Sequence, residues 1–386
     1  MPTGCGKPER IDIVVPETVL AENPARERRM TAADSLGRPD RVPVLAGDNQ
    51  YMLLAARGRT FGQYIRSPED NLREQVLNRK WRIENLRDDQ PIPTQCLSFR
   101  PDLGTLRGTE FPMEIRWQED GPPKCVHPLR ELEDIDRLLA KGLPPPDGAL
   151  HAKYIDWWRA MGRAAENLDV RLNGQPLRIE VTLAHGGGPI PAAFALAGEN
   201  LFLWIMEDPD RVEGLMDVVT ESHINCIRFF DELAGTKGRT TTWMGADTAE
   251  MLSPDQFRRF VVPYYLRVWQ KYSGPRRALH MCGRNDHLLE ILRDDLRITH
   301  NDGFGSVVDR HKLADAMAGR VVLHGGPEPR LIGTGPKEAI ISECLSYIRV
   351  VGREGGYILS PGGGAVPGTP PEHIAWMVEA SIRAAG

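Results

Sequence analysis

Residues 276–326, RRALHMCGRNDHLLEILRDDLRITHNDGFGSVVDRHKLADAMAGRVVLHGG, decide the architecture. Within them RRALH, LRITH and GRVVLHG are short runs rich in branched and apolar residues, separated by stretches of helical pattern. A strand that returns parallel to its neighbour needs a crossover, usually a helix, so the alternation predicts a parallel sheet.

The same rhythm extends both ways. Upstream lie RVPVLAG (41–47), QCLSFRPD (95–102), PLRIEVTLAHGGGP (176–189) and RTTTWMGAD (239–247); downstream lies GGYILSPGGG (355–364). Helical patterns over 201–233 and 254–272 fall between them. Eight strand candidates alternating with helices predict an α/β fold, a (β/α)8 TIM barrel. An open doubly wound sheet is the alternative, but no Gly-rich dinucleotide fingerprint follows the first strand. Ahead of that strand, NPARERRMTAADSLG (23–37) reads as a helix capped by Asn23, with Pro24 in its first turn and Gly37 at its end. EIRWQEDGPPKCVHPL (114–129) reads as a β-hairpin inserted after strand two, turning at Asp120-Gly121. Residues 131–173 read as helical apart from the loop KGLPPPDGA. The expected division is an N-terminal extension over 1–22 and a single barrel domain over 23–386.

Composition narrows the partners. With 41% hydrophobic and 26% charged residues, the 386-residue chain is globular in character, which excludes disordered and fibrous classes. A net charge of -5 carries no basic excess, so nucleic acid is not an expected partner. No run approaches a membrane span, and the N-terminus lacks the basic-then-apolar order of a secretion signal; a cytoplasmic location and a small-molecule substrate are expected. Cys5, Cys96, Cys125, Cys226, Cys282 and Cys344 are scattered, without the density of a disulfide scaffold, and are expected to be reduced.

Chemistry concentrates at strand ends. Asp102, His185, Asp247, His280 with Cys282, Asp302 and His324 all close a strand candidate, and in a barrel those ends share the face where active sites are built. In His280-Met281-Cys282-Gly283 the alternate side chains point to one side, so His280 and Cys282 address one point while Met281 faces the helices. Imidazole and thiolate together suit zinc, which takes three protein ligands in a catalytic site. A buried thiol beside a hydrogen-bonded histidine is the plain alternative, and no C-x-x-C pair or HExxH helix strengthens the metal reading. The glycine strings at 186–188 and 362–364 fit rim turns better than phosphate cradles.

Several segments, in order, carry a resemblance: NPARERRMTAADSLGRPDRVPV, MEDPDRVEGLMDVV, WMGADTAEMLSPDQFRRFVVPYY, HMCG, HGGPEPRLIGTGPKEA and GGYILSPGGGAVPGTPPEHI. From about Asn23 to the C-terminus the chain resembles the uroporphyrinogen-decarboxylase-like superfamily, whose fold is a (β/α)8 barrel. His280 to Gly283 is similar to the corrinoid-linked methyltransferase branch, in which that His and Cys ligate zinc. Thiol-methylating members carry a further Cys in the tail, and decarboxylases a His; this chain has neither, with Gly363 at about the Cys position. Of the decarboxylases' N-terminal arginine pair only the second is matched, by Arg59, and the first falls near Ala55.

The resemblance implies a methyltransferase that moves a methyl group between a corrinoid protein and a thiol or tetrahydrofolate. Zinc on His280 and Cys282 would activate the acceptor, with Asp247, Glu180 or His324 as the third ligand. Glu180 is grouped with the metal ligands; Asp247, Asp302, His324 and Asp102 are the catalytic candidates; His185 and Asn301 join Arg59 and Arg100 as substrate-binding candidates. For a pterin acceptor, Asn301 and Asp302 would bond its amide edge, and a metal would be dispensable. The competing reading is decarboxylation of an acid held by Arg59 and Arg100, with Asp102 or His280 handling the proton. A non-catalytic binding barrel is a third.

Overall fold

The computed structural model describes residues 7–239, 241–272 and 274–386; Cys5 lies outside the described residues. In chain order the strands are β1 (Glu9–Ile13), β2 (Cys96–Phe99), β3 (Glu114–Arg116), β4 (Lys124–Val126), β5 (Leu168–Leu172), β6 (Gln175–Pro176), β7 (Arg178–Val181), β8 (Thr241–Gly245), β9 (Arg276–His280), β10 (His300–Asp302), β11 (Val322–Gly325) and β12 (Tyr357–Leu359). The α/β class holds, and the alternation over 239–364 yields a five-stranded sheet in the order β12-β11-β10-β9-β8, every pair parallel. Helices Pro254–Phe260 and Val262–Tyr272 cross from β8 to β9, Arg310–Met317 from β10 to β11, and Lys337–Val350 from β11 to β12.

The expected closed barrel is not closed by hydrogen bonds. RVPVLAG forms no full strand; it docks on β12 through the Val44–Leu359 bridge, with Leu45 N and Leu359 N donating to Leu359 O and Pro43 O at 2.9 Å each. Two further donors are taken by carboxylates, Val44 N giving to Asp89 (2.8 Å) and Ala46 N to Asp88 (2.9 Å), and it forms no ladder with β2 among the described residues. Those acids are buried because Arg41 and Arg29 pair with Asp89, and Arg82 with Asp88. Among the described residues β2 pairs in parallel with β7 alone, and past β7 the bond from Gly245 N to Gly187 O (2.8 Å) links that arm to β8.

The inserted hairpin is present as β3 and β4, antiparallel. Residues 7–22 do more than extend the chain: β1 pairs in parallel with β5, which the helical reading of 131–173 had missed. The overlooked signal is Asn173-Gly174, both at positive φ, turning β5 into β6. Asn173 also grips Val15 through both its N–H and its C=O. The helix Asn23–Asp34 forms as read, but Asn23 does not cap it; its amide is spent on both backbone groups of Ile92. Leu36, not Gly37, takes the left-handed conformation beyond the helix.

One core fills the five-stranded half, including Leu279, Met281, Leu323 and Leu359, and a second joins Ile13 and Leu172 to Leu97 and Phe99. Each such side chain contributes roughly 1.5–3 kcal/mol by leaving water. No single helix among the described residues is long and apolar enough to cross a membrane.

Candidate active site

The end of β8 is stitched to the end of β9. Ala246 N donates to His280 O (2.8 Å), and the buried Tyr265 hydroxyl holds Gly245 O, so the 3-10 turn Asp247–Met251 starts beside His280. Alternation does the rest: Met281 is buried in the core, while His280 and Cys282 turn the other way. The Asp247 carboxylate oxygen Oδ1 lies 3.3 Å from His280 Nε2 and accepts from the Cys282 thiol (3.2 Å) and the Cys282 backbone N–H (3.1 Å). The three side chains can each offer one ligand atom, all within 4.8 Å of one another. Burial, then the charge of Asp247 and its hydrogen bond, push the Cys282 thiol up to about 12, so without a cation the proton stays on sulfur.

β10 orients this group. His280 Nδ1 lies 2.5 Å from the carbonyl of Asp302, which only accepts, so Nδ1 carries a proton and Nε2 is the nitrogen turned toward Asp247. The next residue must be glycine: Gly303 has φ +89, and a Cβ there would stand 2.4 Å from His280 Nδ1. The Asp302 carboxylate accepts from His324 Nδ1 (2.9 Å) and from the Trp243 indole N–H (3.0 Å). Burial raises its pKa, but the His324 bond and charge, with His280 and Trp243, outweigh that, and the net direction is down. His324 Nε2 is buried with no partner among the described residues.

Asp247, His280, Cys282, Asp302 and His324 therefore form one connected constellation. Trp243 belongs with them and was missed, although period-two alternation on TTWMG places it on the face of Gly245. Asp102 and Arg100 line a cavity of about 310 Å³ that also touches Trp243 and Arg107. Asp102 is held there by the Tyr64 hydroxyl (2.9 Å).

The other candidates lie elsewhere. Glu180 is exposed on β7, accepts from Ser98 (3.1 Å), and is not part of the ligand group. Arg59 is tied at 3.1 Å to buried Glu74, which also pairs with Arg57, so its guanidinium is already engaged. Asn301 sits between His300 and Asp302, which turns its side chain to the opposite face, and it is 0% exposed. No pterin edge can reach it there. His185, 6% exposed, is bonded to His223 (2.9 Å) in a separate interior cluster, where burial and then His223 drive its pKa well below the ordinary imidazole range.

Residues 105–383 match the family model described as uroporphyrinogen decarboxylase (URO-D). The chain belongs to the URO-D family. The match contains the whole Asp247–His324 constellation, whereas Arg59, Arg100 and Asp102 precede it. Uroporphyrinogen decarboxylase of Anaeromyxobacter sp. (strain Fw109-5) is 27% identical over 273 residues, covering 68% of this chain and 71% of that protein. The enzyme of Burkholderia thailandensis is 26% identical over 275 residues, covering 67% and 69%. Among solved structures, a methyltransferase from Methanosarcina mazei shares the fold with a TM-score of 0.61 at 18% identity, covering 94% of this chain and 99% of that one. This URO-D family member thus keeps the fold across nearly its full length while its tail carries Gly363, φ +96, with nothing within 4 Å of a would-be Cβ.

Proposed function

We propose that this protein is a methyltransferase, moving a methyl group between a corrinoid carried by a partner protein and a thiol or tetrahydrofolate, with zinc held by Asp247, His280 and Cys282. The single observation that carries the reading is the shared Asp247 Oδ1, 3.3 Å from His280 Nε2 and 3.2 Å from the Cys282 sulfur. It supplies a third donor where Gly363 offers none, and a mixed N, S and O set suits zinc. The His280 tautomer fits too, since its outer nitrogen is anchored to a carbonyl as ligating histidines usually are. Bound there, zinc supplies Lewis acidity that lowers the pKa of an acceptor thiol.

The chain's own groups do the rest. Cys282 gives up its proton on loading, Asp302 fixes His324 so that Nε2 can take or return a proton, and Trp243 and Arg107 border the cavity that receives the acceptor. In this reading the strands make a (β/α)8 barrel, its arms joined at β7–β8 by the Gly245–Gly187 bond and meeting without a ladder between RVPVLAG and β2. Decarboxylation is less well served, because Arg59 is spent on Glu74. The test is methyl transfer from methylcobalamin to a simple thiol or to tetrahydrofolate, followed by the loss of methylcobalamin absorbance. Turnover that disappears in Cys282→Ser is expected, and wild-type protein inactive with both acceptors would refute the reading.

A further inference from the structure

The interior cluster that absorbs His185 draws on elements far apart in sequence. His151 comes from helix Ala149–Ala165, His223 and Cys226 from helix Pro209–Ala234, His185 from the segment after β7, and Glu110 from the loop before β3. All five are buried, and ligand atoms of His151, His185 and Cys226 lie within 4.8 Å of one another.

Proton placement leaves this cluster short of positive charge. His151 Nδ1 lies 2.8 Å from the Pro146 carbonyl, so Nδ1 carries the proton. Its Nε2 lone pair then faces the Leu106 carbonyl at 3.5 Å and Glu110 Oε2 at 3.7 Å. Glu110 Oε1 is satisfied by the Ser222 hydroxyl (2.8 Å), but Oε2 has no hydrogen-bond partner among the described residues. His185 Nδ1 is likewise buried and without a hydrogen-bond partner among the described residues, while its Nε2 bonds to His223 Nδ1 at 2.9 Å. Glu110 Oε2 and His185 Nδ1 are thus buried polar atoms with no hydrogen bond among the described residues, an arrangement that is costly unless a further group occupies the site.

We propose that His151, His185 and Cys226 bind a second divalent metal ion of the zinc kind, with Glu110 as its charge partner and His223 orienting His185. A dication, the Cys226 thiolate and the Glu110 carboxylate sum to zero, which removes the cost of an unpaired buried charge. Nitrogen and sulfur donors favour zinc over magnesium or calcium. The placement also suggests a task. His185 leads directly into Gly187, whose carbonyl makes the hydrogen bond to Gly245 across the β7–β8 seam, so the ion braces that seam from behind.

The proposal is independent of the Asp247–His280–Cys282 site, and the test separates them. Full-length protein is produced in cobalt-supplemented medium as wild type, Cys282→Ser and Cys282→Ser/Cys226→Ser, with His185→Gln as a second route. The Cys282→Ser protein is expected to keep a thiolate-to-cobalt charge-transfer band that the added Cys226→Ser or His185→Gln removes, with cobalt content falling by about one equivalent. A folded Cys282→Ser protein with no such band, or a band that survives Cys226→Ser, overturns the proposal. Should the double variant not fold, the Cys282→Ser spectrum decides alone, its band supporting the proposal and its absence overturning it.

Discussion

His280 Nδ1 and the backbone carbonyl of Asp302 meet at 2.5 Å, across the pairing of β9 with β10. That contact sets which nitrogen of His280 is free, and the Asp302 side chain, through His324 and Trp243, carries the same node toward the cavity. One residue thus serves the candidate metal group with its backbone and the candidate proton carrier with its carboxylate.

Zinc at this group should be pH-dependent in a definite sense. The metal-free thiol of Cys282 is pushed up to about 12, so binding displaces one proton throughout the neutral range. Affinity at this site should fall about tenfold for each unit of pH lost between 8 and 7. Competition titrations with a chromophoric chelator, comparing wild type with Cys282→Ser, measure it. A pH-independent difference between the two would remove Cys282 from the ligands.

Asp302→Asn should leave metal content unchanged, because only the Asp302 backbone touches His280. It should lower kcat by about 100-fold, within the range for positioned acid–base groups, and shift the pH profile of turnover, since His324 loses its anionic partner. Asp302 has a folded-state pKa below its ordinary value, so its stabilising effect is complete above the ordinary carboxylate range and is lost as pH falls through the lowered one. The acid limb of a stability curve should accordingly be shallower in Asp302→Asn than in wild type. Equal limbs and an unmoved pH profile would reduce Asp302 to a backbone spacer.

Asp89→Ala should be among the most damaging changes remote from the site. Asp89 is 1% exposed, pairs with Arg41 at 2.6 Å and Arg29 at 3.1 Å, and accepts from Val44 N. Removing it takes the carboxylate partner from the Arg41 guanidinium and strands a buried donor, while Arg29 keeps Asp40, a loss of about 3–5 kcal/mol. Urea unfolding reads this directly, and a loss below about 1 kcal/mol would mean the first run is held by its bridge to β12 rather than by the acids.

Asn301→Leu separates the core role from a substrate role. The Asn301 amide is fully buried, and both its polar atoms lack a hydrogen-bond partner among the described residues. Replacing it with an apolar side chain of similar size should leave stability unchanged or higher and methyl transfer intact. Activity lost with stability retained would return Asn301 to the acceptor site.

Much of the candidate site was legible because strand alternation is local. His280 and Cys282 follow from a two-residue period, and Asp247, Asp302 and His324 from lying at strand ends. The same rule, applied without knowing which face was inward, placed Asn301 at the mouth when its neighbour Asp302 held that face. Arg59 and Glu180 failed for another reason: their partners Glu74 and Ser98 are distant in sequence, and no local pattern reveals a guanidinium already paired.

By itself, then, the sequence determined the alternation of strands and helices, the parallel five-stranded sheet and the pairing of His280 with Cys282 on one side, since these depend on periods of two and on crossovers between neighbours. Tertiary structure alone decided which carboxylate meets them, that Asp88 and Asp89 take the place of a ladder between RVPVLAG and β2, and that His185 joins His151 and Cys226 in the interior. Those outcomes turn on long-range competition for buried donors and charges, and it is settled by which groups the folded chain brings within hydrogen-bonding distance, not by the order in which they are written.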